Sequence, residues 1–260
     1  MKSGHSIGAG FVMICATLAL GQQPAVTLPS SGWPGLDRYR ASRVAIYVND
    51  YGELTRYRDA DATVKPPAPG ENRVVFFGDS ITDMWKLAGS FPGKPYINRG
   101  ISGQTTSQML VRFRQDVINL QPKAVVILAG TNDIAGNTGP IADADIEANF
   151  ASLAELAGAH DIHVIFSSIL PIHNYTAESR ELFAQRPVDR ILILNRWLEN
   201  YCSSNALVYL DYFSSMVDSK GLLKRDLAQD GLHPNQAGYA IMAPVAQAGI
   251  EKALAQVKSR

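Results

Sequence analysis

The chain has 260 residues, 46% of them hydrophobic and 18% charged, with 24 Lys+Arg set against 24 Asp+Glu. That length supports one sizeable core and lies near the upper limit of a single domain. The 21 glycines and 14 prolines are an ordinary share, which excludes collagen-like, low-complexity and disordered classes. Zero formal net charge excludes an overall field drawing the protein to nucleic acid or an anionic membrane.

The chain opens with an address. Lys2 and His5 precede an apolar run from Phe11 to Leu20, and Ala19 and Gly21 offer the small side chains of a cleavage site. That order reads as a secretory signal peptide over residues 1–21. The run is too short to span a bilayer, which needs about 20 apolar residues, so no stable membrane insertion is expected. Cys15 follows the bulky Ile14, a poor context for lipid attachment. Cleavage leaves Cys202 as the sole cysteine, at the end of an apolar helical pattern where packing explains it better than chemistry. A secreted or periplasmic protein without internal disulfides is expected.

Residues 22–70 read as a leader plus a packing helix. Gln22 to about Gly35 is rich in Pro, Ser and Gly and reads as flexible, while Tyr47, Tyr51, Leu54 and Arg58 recur at helical spacing. The run from Lys65 to Gly70 breaks any helix and marks a boundary. Residues 71–258 then form one domain. Short apolar runs at Val74–Phe77, Tyr96–Asn98, Ala124–Leu128, Val164–Ser167 and Leu207–Leu210 read as strands buried on both faces. Amphipathic stretches at Thr105–Leu120, Ile146–Ala159, Val188–Tyr201 and Gln236 to about Val257 lie between or after them. This alternation predicts a parallel sheet of about five strands sandwiched by helices. Such sheets carry ligands at the carboxyl ends of their strands, so the residues just after each run are the ones to inspect.

Four such segments carry chemistry. Ser80, within Gly78-Asp79-Ser80-Ile81-Thr82, is either a helix N-cap or a hydroxyl presented for attack. Gly103 either closes a tight turn or exposes a backbone N–H. Asn132, within Gly130-Thr131-Asn132-Asp133, either closes a turn or donates its carboxamide into a cleft. Asp230 stands three residues before His233 in a loop held by Gly231 and Pro234; there it can accept the Nδ1 proton and leave Nε2 as a base. Asn235 suits the cap of the last helix. His160 and His163 have no third metal ligand in sequence, and His173 could line a pocket but has no acidic partner beside it. Asp79 and Asp133 read as scaffolds of their loops, and Trp85 and Phe91 as either an aromatic wall or core. Together the segments supply a nucleophile, a base, its orienter and oxyanion donors on one edge of one sheet.

Taken in order, Gly78-Asp79-Ser80-Ile81, Gly103, Gly130-Thr131-Asn132-Asp133 and Asp230-Gly231-Leu232-His233 resemble the four blocks of the SGNH hydrolases, the GDSL-type esterases and lipases. Ile81 stands where many members have leucine. The resemblance implies a three-layer α/β/α sandwich with a flavodoxin-like sheet, and a serine esterase with neither metal nor cofactor. It implies Ser80 as nucleophile, His233 as general base, Asp230 as orienter, and an oxyanion hole built from the Ser80 and Gly103 amides and the Asn132 side chain. The expected substrate is an ester of a small acyl group, with acetyl on carbohydrate foremost. A lysophospholipid or short-chain lipid ester, or acyl transfer on the same scaffold, is the alternative. A non-catalytic carbohydrate-binding relative would require the loss of a catalytic residue, and none is missing.

Overall fold

The computed structural model describes residues 28–256, so the signal-peptide reading lies outside the described residues. Five strands, β1 (Val74–Gly78), β2 (Tyr96–Gly100), β3 (Ala124–Leu128), β4 (His163–Ser167) and β5 (Val208–Leu210), form one parallel sheet in the order β2-β1-β3-β4-β5. The switch in strand order falls between β1 and β3, where an open sheet leaves a crevice for ligands. Gly78 is level with Gly100 on one side and Leu128 on the other. The three loops that leave those strands therefore start at the same height.

The helices are α1 (Pro34–Asn49), α2 (Arg58–Ala62), α3 (Ser80–Asp83), α4 (Leu87–Ser90), α5 (Thr106–Asp116), α6 (Thr131–Ala135), α7 (Asp143–Gly158), α8 (Ser179–Ala184), α9 (Val188–Ser204), α10 (Tyr212–Met216) and α11 (Gln236–Ala255). Strand side chains alternate between faces. Val75, Phe77, Val125, Ile127 and Phe166 pack against α5, α7 and α9, while Val74, Phe76, Val126, Leu128 and Ile165 pack against α3, α4, α10 and α11. Two apolar layers result, which explains why the strands read as unbroken apolar runs. Cys202 is buried in the first layer.

Three sequence expectations need correction. No helix joins Tyr47 to Arg58: α1 ends at Asn49, and the Asp50 carboxylate accepts from Leu54 N at 2.8 Å, Thr55 N at 3.0 Å and Thr55 Oγ1 at 2.7 Å. A side chain that satisfies its own backbone this way competes with the helix. Nor is Pro34-Gly35 the end of a flexible leader. Pro34 is the first residue of α1, where its fixed φ and missing N–H cost nothing. The predicted helix over Thr105–Leu120 also divides, into α5 and a short 3₁₀ turn at Ile118–Leu120.

Candidate active site

β1 delivers Ser80. Asp79 caps α3 by accepting from Ile81 N at 2.9 Å, and Ser80, 6% exposed, opens that helix with its Oγ 2.9 Å from His233 Nε2. The sequence separation is 153 residues; the tertiary fold alone makes the contact. Burial is the chief cause that pushes Asp79 up to about 6, against the opposing pull of its bond from Ile81.

The imidazole is held by its own loop. Asp230 accepts from Leu232 N at 3.0 Å, His233 N at 2.8 Å and His233 Nδ1 at 2.6 Å. Burial opposes ionisation of Asp230, but these bonds outweigh it and hold the carboxyl well below the usual carboxylate range. A carboxylate facing Nδ1 fixes the proton there and turns Nε2 into an acceptor for the Ser80 hydroxyl. Gly231 is required at the turn: its φ is +86°, and a Cβ would lie 2.6 Å from His173 O. His173 does not line the cavity beside His233. It is fully buried, its amide donates to Gly231 O at 3.0 Å and its Nε2 lies 3.1 Å from Ala228 O, so it buttresses the loop that carries Asp230. Asn235 caps α11 directly afterwards.

Gly103, Asn132 and His233 line one cavity of about 510 Å³. Gly103 has φ +83°, and any side chain there would collide with the Tyr39 hydroxyl. Among the described residues, neither the Ser80 nor the Gly103 amide is engaged in a loop or cap hydrogen bond. Asn132 donates from Nδ2 to Gln104 O at 3.1 Å, while its Oδ1 accepts from Arg186 Nη2 at 3.3 Å. Asp133 accepts from Thr106 N and Thr106 Oγ1, tying the end of β3 to the start of α5; burial is the leading cause that pushes it up to about 6. Two free amides and a carboxamide beside a hydroxyl–imidazole–carboxylate string can accept a developing oxyanion while a proton moves from oxygen to nitrogen.

Sequence reasoning missed the wall opposite. Leu36, Tyr39 and Arg43 of α1 line the same cavity. The helix is pinned by Glu181, which accepts from Gly35 N at 2.6 Å and Leu36 N at 3.2 Å, and by Tyr47, which donates to Asn137 O at 3.2 Å. Gln104 and Gln108 donate to Gly52 O and Tyr51 O, fastening the following turn to the Gly103 loop and α5. The one available signal was proline at the first position of a helix. Trp85 and Phe91 prove to be core, 3% and 4% exposed and packed with Phe76 rather than lining this cavity. Among the described residues, no group of three or more His, Cys, Asp or Glu could hold a metal ion.

The architecture defines an α/β protein with a doubly covered parallel sheet and a polar site at its carboxyl edge. The profile of the GDSL-like Lipase/Acylhydrolase family matches residues 76–241, and the chain belongs to that family of acylhydrolases. A Bacteroides fragilis protein described as an acylhydrolase superposes with a TM-score of 0.73 at 41% identity, covering 79% of this chain and 99% of that one. A GDSL-like lipase of Bacteroides thetaiotaomicron gives a TM-score of 0.73 at 40% identity, covering 78% and 100%. The acetylxylan esterase of Geobacillus stearothermophilus shares the fold, with a TM-score of 0.58 at 24% identity over 74% of this chain and 98% of that one. An uncharacterised lipoprotein of Bacillus subtilis is 34% identical over 79 residues, 29% of this chain; the match spans about a third of the relative's length, 32%.

Proposed function

We propose that the protein is an exported serine esterase that removes small acyl groups, acetyl foremost, from a hydroxyl-rich alcohol such as a carbohydrate. The observation that carries the chemistry is the unbroken string from Ser80 Oγ through His233 to Asp230, with steps of 2.9 and 2.6 Å. His233 Nε2 takes the Ser80 proton as Oγ bonds to the ester carbonyl carbon. The resulting oxyanion settles against the Ser80 and Gly103 amides and Asn132 Nδ2, and each such donor is worth roughly a hundredfold in rate. The carbon–oxygen bond to the alcohol breaks as His233 returns the proton to it. Water then attacks the acyl-enzyme by the same route, freeing the acid and restoring the Ser80 hydroxyl.

The substrate reading rests on the cavity. At about 510 Å³ it exceeds the needs of an acetyl group and falls within the range of small-molecule sites. Ser102, Asn137 and Glu178 offer hydrogen bonds to sugar hydroxyls, and the same fold serves an acetylxylan esterase. Leu36, Leu182 and Leu232 also line the space and favour a second reading, a short-chain lipid ester. Rates on p-nitrophenyl esters of rising chain length, beside acetylated oligosaccharides, separate the two. Ser80→Ala should cut turnover of p-nitrophenyl acetate by roughly four orders of magnitude or more with the fold intact; a variant that kept the wild-type rate would sink the assignment.

Export is supported by the charged, apolar and small-residue order of residues 1–21 and by the lipoprotein relative. No described helix is long and apolar enough to cross a membrane. The intact mass of the protein recovered from an exporting host should correspond to a chain beginning at Gln22; retention of residues 1–21 would refute the reading.

A further inference from the structure

Arg186, in the link between α8 and α9, is 3% exposed and lines the same cavity as Asn132 and His233. Three other buried arginines face carboxylates: Arg112 pairs with Asp116 at 2.8 Å, Arg99 with Asp61 at 2.5 Å and Arg73 with Glu71 at 2.9 Å. Arg186 instead donates to four neutral oxygens. They are Thr131 Oγ1 at 3.0 Å, Leu182 O at 3.1 Å, Gln185 Oε1 at 3.3 Å and Asn132 Oδ1 at 3.3 Å. Asp79 and Asp230 act on it through space, without a hydrogen bond. Burial pulls its pKa down to about 10, which leaves it charged at neutral pH. A buried cation without a contacting carboxylate is costly, so its position calls for a reason beyond packing.

The reason lies in the carboxamide it touches. A guanidinium has only donors, so the Asn132 atom facing it must be oxygen. The nitrogen then faces Gln104 O at 3.1 Å, itself only an acceptor. A half-turn of the amide would set NH₂ against the guanidinium and oxygen against oxygen, two repulsions at once. One Nδ2 hydrogen is committed to Gln104, and the other is left for the cavity. Charge on the oxygen side also polarises the amide, making that remaining N–H a stronger donor.

We propose that Arg186 is a positioning residue for the oxyanion hole: it locks the Asn132 carboxamide with its N–H toward the developing oxyanion and strengthens that donor. This rests on the esterase reading given above. The bond from Arg186 to Thr131, the residue before Asn132, fixes the same turn from a second point.

The test is a double-mutant cycle of Asn132→Ala and Arg186→Met, read as kcat and KM on p-nitrophenyl acetate, with melting temperature measured for each variant. Arg186→Met alone should lower kcat roughly a hundredfold, the worth of one oxyanion donor, and leave KM within about threefold. In the Asn132→Ala background the same change should cost less than about threefold, because its object is gone. Equal losses in both backgrounds, a loss confined to KM, or no loss would overturn the proposal in favour of a structural role. If Arg186→Met does not fold, Arg186→Lys replaces it in the cycle: the charge is kept but the fork is lost, and its smaller kcat loss should again vanish without Asn132. Ser80→Ala run alongside keeps the two ideas apart. Undiminished turnover in Ser80→Ala would sink the esterase reading and this one with it, whereas an inactive Ser80→Ala beside an additive cycle would sink only the role of Arg186.

Discussion

The two edges of the sheet differ in a way that cavity size does not predict. At the amino edge, Pro67, Ile118, Lys123 and His160 border a cavity of about 710 Å³, larger than the 510 Å³ space at the carboxyl edge. His160 there lies 3.3 Å from Arg114 Nη2, a cation neighbour that suits neither an activated hydroxyl nor a general base. At the carboxyl edge an imidazole meets a serine hydroxyl on one nitrogen and a carboxylate on the other. Parallel strands explain the asymmetry. Every strand delivers the residues that follow it to the same edge, so loops distant in sequence converge there and diverge at the other.

Variants can break or sharpen this contrast. The largest effect after Ser80→Ala is expected for Asp230→Asn, which keeps the shape but removes the carboxylate that fixes the imidazole tautomer. Its kcat should fall by roughly four orders of magnitude, and a loss under tenfold would show that the loop backbone alone orients His233. Tyr39→Ala, which opens the wall beside Gly103, should raise the kcat/KM ratio of hexanoate to acetate ester by roughly tenfold; an unchanged ratio would make α1 a cover rather than a wall.

Stability offers a smaller test at the same edge. Asp79 has its folded pKa raised to about 6, so the native state holds its proton more tightly than the unfolded chain does. Its contribution is full below the ordinary carboxylate range and is lost as pH rises through about 6. The loss amounts to up to about 3 kcal/mol between roughly pH 4 and 7. Asp79→Asn should therefore flatten the pH dependence of urea unfolding over that window, with Asp133, Asp61 and Glu147, all raised, contributing to the slope that remains; an unaltered slope would refute a raised pKa for Asp79. His160→Ala, at the opposite edge, should leave kcat/KM within about twofold.

Legibility followed the range of the interactions. The strands were readable because burial on both faces demands consecutive apolar residues, and Val74–Gly78 and Ala124–Leu128 satisfy it. The Asp230–His233 pair was readable because a three-residue turn closes it locally. The segment after Asn49 was misread because periodicity carries no sign that the Asp50 carboxylate would cap a turn of its own. Arg186 escaped notice altogether: an arginine before a proline has no local feature that marks it as buried beside Asn132.

By itself, the sequence determined the alternation of strands and helices, the edge at which chemistry must gather, and the identities of the residues offered there. Apolar patterning and short-range spacing suffice for all three. Only the tertiary structure decided that Ser80 would stand 2.9 Å from an imidazole 153 positions away, that α1 would close the cavity, and that a buried guanidinium would face the Asn132 oxygen. Those contacts depend on how separate elements pack in three dimensions, and no local stretch of chain encodes them.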